Sequence, residues 1–353
     1  MSKRRGKLIA LLVVLIIAVS GVFVVNTQMQ PVEKGNTQKI SFSVAEGETA
    51  YDILVNLEKN ELIKSTFAGK LYLKIATVGD FKPGVFELNK GMDLHAVIAT
   101  LTSDKKQGGI SITFREGLRV KDYAKIAAKE LKINEKEFLK LCNDQAFIDE
   151  LKKEYVVIKD FDFNPKEIYQ LEGLLAPDTY QFNSNTSAKE LIKTLVFQTN
   201  ELYKAKNDLF KQTNLSTNQV YTLASMLETE AKIYPDRVKV ASIFMNRINK
   251  KMKLGSDVTT YYGLQLDMGA RELTVKELNQ KNGYNTRADM IGLPVGPINS
   301  PSNQSILAAL NYTVTDDLYF VSDINGTIYT AKTYAQHNKI IEKLKKDDLW
   351  YKY

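Results

Sequence analysis

Apolar and polar positions alternate near the start of the chain, where Ile40, Phe42 and Val44 interleave with Lys39, Ser41 and Ser43. That period of two marks a half-buried strand. Glu46-Gly47 turns the chain, and Thr49 caps a helix whose Ala50, Ile53, Leu54 and Leu57 share one face. Seventy residues later the pattern recurs: Ile110, Ile112 and Phe114 alternate, Glu116-Gly117 turns, and Val120, Tyr123, Ala124, Ala127 and Leu131 form a helical stripe. A looser copy runs from Val85 through Lys90-Gly91 to Val97, Ile98 and Leu101. Between the first copy and this one, Ser65 caps a second helix carrying Phe67, Leu71 and Ile75. The order over 39–89 is therefore strand, helix, helix, strand, and a two-stranded sheet with two helices on one face can bury a small core.

From Asn134 to Ala205 the pattern is mainly helical, broken by the loop 160–165. The segment 172–180 cannot be a helix interior, because Pro177 lacks a donor and restrains Ala176. Ser216 followed by Gln219 has capping-box spacing, and Val220, Leu223, Ala224, Leu227 and Ala231 make one stripe of the helix that starts there. Glu228 sits beside this stripe, one turn after the small residues Ala224 and Ser225, which leave room for something to approach it. Glu230 lies about 200° around the helix from it, so the spacing places Glu228 at the core edge and Glu230 in water. A glutamate shielded by apolar neighbours has its charged form disfavoured, and its raised pKa suits it to donate a proton and later take one back. Two-carboxylate glycosidases need a second acid about 5–10 Å away. None shares the helix face, and Asp236, Asp257 and Asp267 reach Glu228 only through folding. Taken alone, a helical glutamate is usually a solvated surface residue.

The formal charge of +7 suggests nucleic-acid binding until it is located. Lys3, Arg4, Arg5 and Lys7 supply four of the positive charges, and beyond residue 30 there are 44 basic against 41 acidic residues. A groove for a phosphate backbone needs a stronger bias, so nucleic acid is set aside. Cys142 is the single cysteine, at helical spacing with Phe138 and Leu141, and His95 and His337 are the two histidines. No intramolecular disulfide and no cysteine-based zinc site can form, and neither a metal nor a cofactor is expected. Leu8 to Val25 is an 18-residue run without charge behind the four cations. As a helix it covers roughly 27 Å, enough to cross a hydrocarbon core, with the basic flank in the cytoplasm and the rest outside. The rival reading, a cleaved signal peptide ending near Ala18-Val19-Ser20, fits less well because the apolar run continues through Phe23, Val24 and Val25.

The string Leu223-Ala-Ser-Met-Leu-Glu228-Thr-Glu-Ala resembles the active-site segment of the YceG-like (MltG) family of endolytic murein transglycosylases. Further matches follow in the family's order: Glu172-Gly with Pro177-Asp-Thr-Tyr180, Ala241-Ser-Ile-Phe with Asn246-Arg247, and Ser256-Asp257 with Thr259 and Tyr261. Then come Tyr284-Asn285-Thr286, Gly292-Leu-Pro294-Val-Gly-Pro-Ile298, Ser305-Ile with Ala308-Ala-Leu310, Tyr319-Phe-Val321, and Thr333 with His337-Asn338. Val295 stands where the family often has a second proline, and Phe86 where it has tyrosine. The 39–89 region resembles, in topology and length, a LysM-type module, a binder of N-acetylglucosamine-containing chains; the bland alternative is a spacer.

The resemblance implies a lyase acting on peptidoglycan glycan strands with Glu228 as its one acid and base. Glu228 would protonate the oxygen joining N-acetylmuramic acid to N-acetylglucosamine, then draw the proton from the sugar's 6-hydroxyl as that oxygen closes a 1,6-anhydro ring. It further implies work beside peptidoglycan polymerases, ending nascent strands. Ser225, Asn246, Asp257, Tyr261, Asn285, Pro294 and His337 are candidate substrate contacts, each with a structural alternative: turn capping for Asp257, a backbone hydrogen bond for Asn285, a surface place for His337. The expected class is α+β: a basic stub and transmembrane anchor over 1–30, a tether over 31–38, a LysM-like α/β module over 39–105, and a larger mixed catalytic domain over 110–353. That domain has a leading part, 110–205, and an active-site part, 216–353. A non-catalytic peptidoglycan-binding scaffold and a two-carboxylate hydrolase are the competing functions.

Overall fold

The strand, turn and helix triplets read from the sequence form, in a computed structural model that describes residues 25–45, 47–103 and 110–350. Strand β1 (Ile40–Val44) leads into α1 (Ala50–Lys59), whose first turn is capped by the Thr49 hydroxyl accepting from the Asp52 amide. Helix α2 (Thr66–Ile75) is capped by Ser65, and β2 (Gly84–Leu88) returns antiparallel to β1 in the register Ile40↔Leu88, Phe42↔Phe86 and Val44↔Gly84. Helix α3 (Leu94–Leu101) follows, capped by Asp93. Alternation puts Phe42, Val44, Phe86 and Leu88 on one sheet face, where Ile53, Leu54 and Leu57 of α1 and Val97, Ile98 and Leu101 of α3 join them in one core.

Helix α2 departs from the usual rule that the apolar stripe faces the core. Its buried residues are Ala68 and Gly69, while Phe67 and Ile75 are 70% and 72% exposed. The cause is close approach: a Cβ on Gly69 would stand 2.6 Å from Leu54 Cδ2 of α1. Only small residues fit at this contact, so Phe67 and Ile75 turn outward, while Tyr72 and Leu73 further along pack, partly buried, against the core.

Residues 31–38, read as a tether, are fastened to this small unit. The Glu33 amide donates to the Lys90 carbonyl at 3.0 Å, the Asn36 carbonyl lies where a Cβ on Gly91 would fall, and Met29 packs against the core. The uncharged run lies outside the described residues apart from Val25, and among the described residues no helix is long and apolar enough to cross a membrane.

The described residues divide into two compact units, those up to 112 with 180–185 and those of 113–179 with 186 onward; the boundary falls within β3 (Ile110–Phe114) and β4 (Asp178–Phe182), which pair as one sheet. The larger unit is mainly helical. It runs through α4 (Val120–Leu131), α5 (Glu135–Leu141), α6 (Gln145–Glu154) and α7 (Val156–Lys159) to α8 (Ala188–Ala205) and α9 (Asn207–Gln212). There follow α10 (Thr217–Glu230), α11 (Tyr234–Asn249), α12 (Asp257–Gly263), α13 (Val275–Leu278) and α14 (Asn303–Leu310). The hairpin β5 (Tyr319–Ser322) and β6 (Ile328–Ala331) and helix α15 (Tyr334–Lys346) complete it. The architecture is mixed α+β. Helix α10 is its central element, packed against α11, α12 and α14.

Candidate active site

Helix α10 begins with the capping box expected of Ser216 and Gln219, each side chain taking the other's backbone amide. From Val220 to Leu227 every residue is buried, not only the apolar stripe. Neighbours on all sides, rather than water on one, surround this helix. Ser225, fully buried, donates to the Thr222 carbonyl and accepts from the Ile298 amide at 3.0 Å. Asn299 Nδ2 donates to the Ser225 carbonyl and to Thr229 Oγ1, both at 2.9 Å. These bonds sew the loop before α14 onto α10.

That seam delivers one donor to Glu228, and α11 delivers a second. The Ser302 amide donates to Oε2 at 2.7 Å, and Ser302 is the N-cap of α14, so the carboxylate lies at the positive end of that helix. Arg237 Nη2 of α11 donates to Oε1 at 2.8 Å. Arg237 is itself held by the Ala231 carbonyl through Nε and by Ser302 Oγ through Nη1. Both side chains of the pair are 8% exposed. The apolar shielding expected around Glu228 is therefore replaced by charge-assisted hydrogen bonds on both oxygens. Gly117, at φ +76°, faces the Glu228 stem: a Cβ there would lie 3.9 Å from Cγ. Its turn is pinned by the Gly117 amide to the Ser300 carbonyl and the Ser300 amide to the Leu118 carbonyl.

Glu230, expected in water, is partly buried and accepts from Ser256 Oγ at 2.6 Å. Desolvation pushes its carboxyl up from the usual range; the Ser256 bond and the charges of Arg247 and Arg287 oppose the shift, and Asp257 adds to it. Asp257 itself is exposed and ion-paired with Arg287 Nε at 2.8 Å. Arg247 donates to the Leu318 and Leu254 carbonyls, and its guanidinium stands 5.4 Å from the centre of the Tyr319 ring. His337 lies 5.6 Å from the same ring; burial and then the Arg247 charge hold its pKa below the ordinary value.

The sequence-derived contacts thus fall into groups. Ser225 belongs to the Glu228 cradle but serves it from the interior, with no surface to offer a sugar. Asp257 gathers with Ser256 and Arg247 around Glu230, and His337 lies by the Tyr319 ring and the Arg247 charge. Asn246 is spent on the Thr315 and Asp317 carbonyls, and the Tyr261 hydroxyl on the Arg271 carbonyl. Asn285 is fully buried, accepting from Thr260 Oγ1 and donating to the Gln280 carbonyl at 2.8 Å. Pro294 is buried next to Val295, whose amide donates to the Gly283 carbonyl. As placed, Asn246, Tyr261, Asn285 and Pro294 shape the loops and have no hydrogen bond to either glutamate.

Two residues in contact with Glu228 were not legible as such. Ser302, three before Ser305 and just ahead of Ile306 and Ala309, carries a helix-start signal, but nothing local says that its amide meets Glu228. Arg237 follows Tyr234-Pro235, a helix start with proline in its first turn. That signal places a new helix close after Glu228 without giving the angle at which it returns.

Residues 42–343 match the profile of the YceG-like family. The chain belongs to the YceG-like family. Its relatives include the endolytic murein transglycosylase of Bacillus subtilis, 37% identical over 320 residues, which are 89% of this chain and 87% of that protein. The endolytic murein transglycosylase of Streptococcus pneumoniae is 27% identical over 88% of this chain, which spans 59% of that longer protein. Among solved structures, a YceG-like protein of Listeria monocytogenes superposes with a TM-score of 0.60 at 28% identity, covering 86% of this chain and 99% of the other.

Proposed function

We propose that this YceG-like protein is an endolytic murein transglycosylase, a lyase that cuts the bond between N-acetylmuramic acid and N-acetylglucosamine within glycan strands and leaves 1,6-anhydro ends. Glu228 is its acid and base. The observation that carries this reading is the Glu228 cradle, at the position where the family's active-site segment falls. Both carboxylate oxygens are oriented, by Arg237 and by the Ser302 amide, and Gly117, which has no side chain, lies against the stem. A carboxylate so held suits the base half of the reaction, in which the proton of the 6-hydroxyl is taken as its oxygen closes on the anomeric carbon. The acid half requires a proton on Glu228. Opening of the Oε1 contact makes room for it, and Arg237 keeps the Ala231 carbonyl and Ser302 Oγ as anchors. The proton given to the leaving oxygen is recovered from the 6-hydroxyl, so no water is consumed and one acid suffices.

The uncharged run 8–25 behind four cations supports a single membrane crossing, with the N-terminus cytoplasmic and the remainder extracytoplasmic. The strand, helix, helix, strand order of the small unit supports a LysM-like reading of it. Action beside peptidoglycan polymerases rests on the family resemblance. Digestion of purified peptidoglycan by the full chain in detergent tests the reaction. Anhydro ends support a lyase, new reducing ends a two-carboxylate hydrolase, and absence of cleavage a scaffold. Glu228→Gln is expected to lower the release of anhydro-ended products by about a hundredfold or more while the chain stays folded by circular dichroism, with an unfolding midpoint lowered by loss of the buried pair with Arg237; cleavage at the normal rate sinks the assignment.

A further inference from the structure

The outward face of α2 has no role in the reaction above. Phe67, Lys70, Leu71, Lys74 and Ile75 fall at i, i+3, i+4, i+7 and i+8, one continuous stripe of a helix. Phe67 and Ile75 are mostly exposed, and Tyr51 of α1 beside them is half exposed, with Lys70 Nζ 3.7 Å from its ring centre. Tyr51, Leu54, Phe67, Lys70, Leu71 and Lys74 line an open groove of about 440 Å³ between the two helices. Its lining carries Lys70 and Lys74 and no carboxylate, and Glu58 of α1, beside the start of α2, is engaged by the Thr66 amide and hydroxyl. Aromatic and aliphatic side chains interleaved with lysines, without carboxylates, match the interfacial zone of an anionic bilayer, where chains take up the apolar groups and headgroups the ammonium ions. A glycan would ask for hydrogen-bond acceptors as well as donors, and the side chains lining the groove offer mainly hydrocarbon and ammonium.

The position of the unit along the chain argues the same way. The uncharged run ends at Val25, a helical turn covers 25–29, and Met29 already packs against the core of the small unit. At a rise of about 1.5 Å per residue, Met29 lies about 6 Å along the helix from Val25. The Glu33 to Lys90 bond fastens the chain again four residues later. If the run crosses a bilayer, the small unit begins at the headgroup layer with no slack to leave it.

We propose that the Phe67–Ile75 face of α2 lies on the surface of the membrane that the N-terminal run enters, docking the small unit on anionic lipid. This rests on the anchor reading of residues 8–25. The test uses the full chain in vesicles of phosphatidylcholine and phosphatidylglycerol, with a fluorophore on Ile75→Cys or, as control, on Ser41→Cys. Ser41 is exposed on the sheet face away from the core, and the fully buried Cys142 stays unlabelled. The Ile75 label is expected to be several-fold less open to iodide than the Ser41 label and more strongly quenched by spin-labelled lipid. Lys70→Glu with Lys74→Glu, or vesicles of phosphatidylcholine alone, should shrink that contrast. Equal iodide access at the two positions overturns the proposal. Shielding that appears only on adding peptidoglycan assigns the face to glycan and overturns it, and shielding that grows with protein density assigns it to a second copy and does the same. Alkaline extraction that strips the chain from the vesicles would remove the anchor, while the two-label contrast on bound chain before extraction decides the face separately.

Discussion

Helices α2 and α10 both begin at a serine whose hydroxyl accepts the amide three residues on, and both carry apolar side chains at helical spacing. Yet α2 turns Phe67 and Ile75 into solvent, while α10 is buried on every side from Val220 to Leu227. The contrast teaches that apolar spacing identifies a face, and that the neighbours decide where it points. On α2 the small pair Ala68 and Gly69 permits close approach to Leu54, and closeness wins over the area of the larger side chains. On α10, packing of α11, α12 and α14 around the helix leaves no wet side, so an acid such as Glu230 is enclosed by geometry that its own helix does not encode.

Core truncation should expose the contrast most strongly. Leu223→Ala on α10 is expected to cost about 2–5 kcal/mol, against within about 0.5 kcal/mol for Phe67→Ala on α2, as read by denaturant unfolding. Comparable losses would mean that the α2 face is covered.

The pH dependence of stability comes next, and it belongs to the larger unit. Burial pushes Glu167 up to about 8 and Glu172 up to about 7, from an ordinary value of 4.5. Glu167 has Oε1 bonded to Asn218 and its buried Oε2 unpartnered among the described residues; Glu172 accepts from the Val120 amide and the Tyr262 hydroxyl. Between 4.5 and these values the folded state holds protons that the unfolded chain has released, so stability falls as pH rises from about 4.5 to about 8 and levels above. Glu167→Gln should flatten the upper part of that fall in thermal unfolding measured from pH 5 to 9. An unaltered profile would remove Glu167 as its source.

A test of the close approach follows. Gly69→Val places a Cβ at 2.6 Å from Leu54 Cδ2 and is expected to cost about 1–3 kcal/mol through overpacking. A neutral outcome would show that α2 can lift from α1 at no cost. The caps, which the two helices share, should differ least: Ser65→Ala and Ser216→Ala are each expected to cost about 1 kcal/mol, and a large difference between them would mean that one serine does more than cap.

Much of this architecture is legible in the residues because it is local. The Thr49, Ser65 and Ser216 caps, the glycine turns at Gly47 and Gly117 with φ near +79° and +76°, and the alternation of Phe42 with Val44 each depend on a few consecutive residues. The site was legible only in part. Glu228 stands out through its motif, whereas Arg237 and Ser302 do not, and Ser225 and Asn285 are drawn inward by hydrogen bonds to Ile298 and Thr260, 73 and 25 residues away.

By itself, then, the sequence determined where helices and strands begin, which faces are apolar, and that the chain carries the YceG-like motif series around Glu228. The tertiary structure alone decided that the apolar face of α2 looks outward, that Glu230 is enclosed, and that Ser302, 74 residues beyond Glu228, presents its amide to that carboxylate. The physical reason is range: capping and alternation act over one to four residues and can be read along the chain, whereas burial and charge pairing arise between segments whose separation in space is set only when the whole core packs.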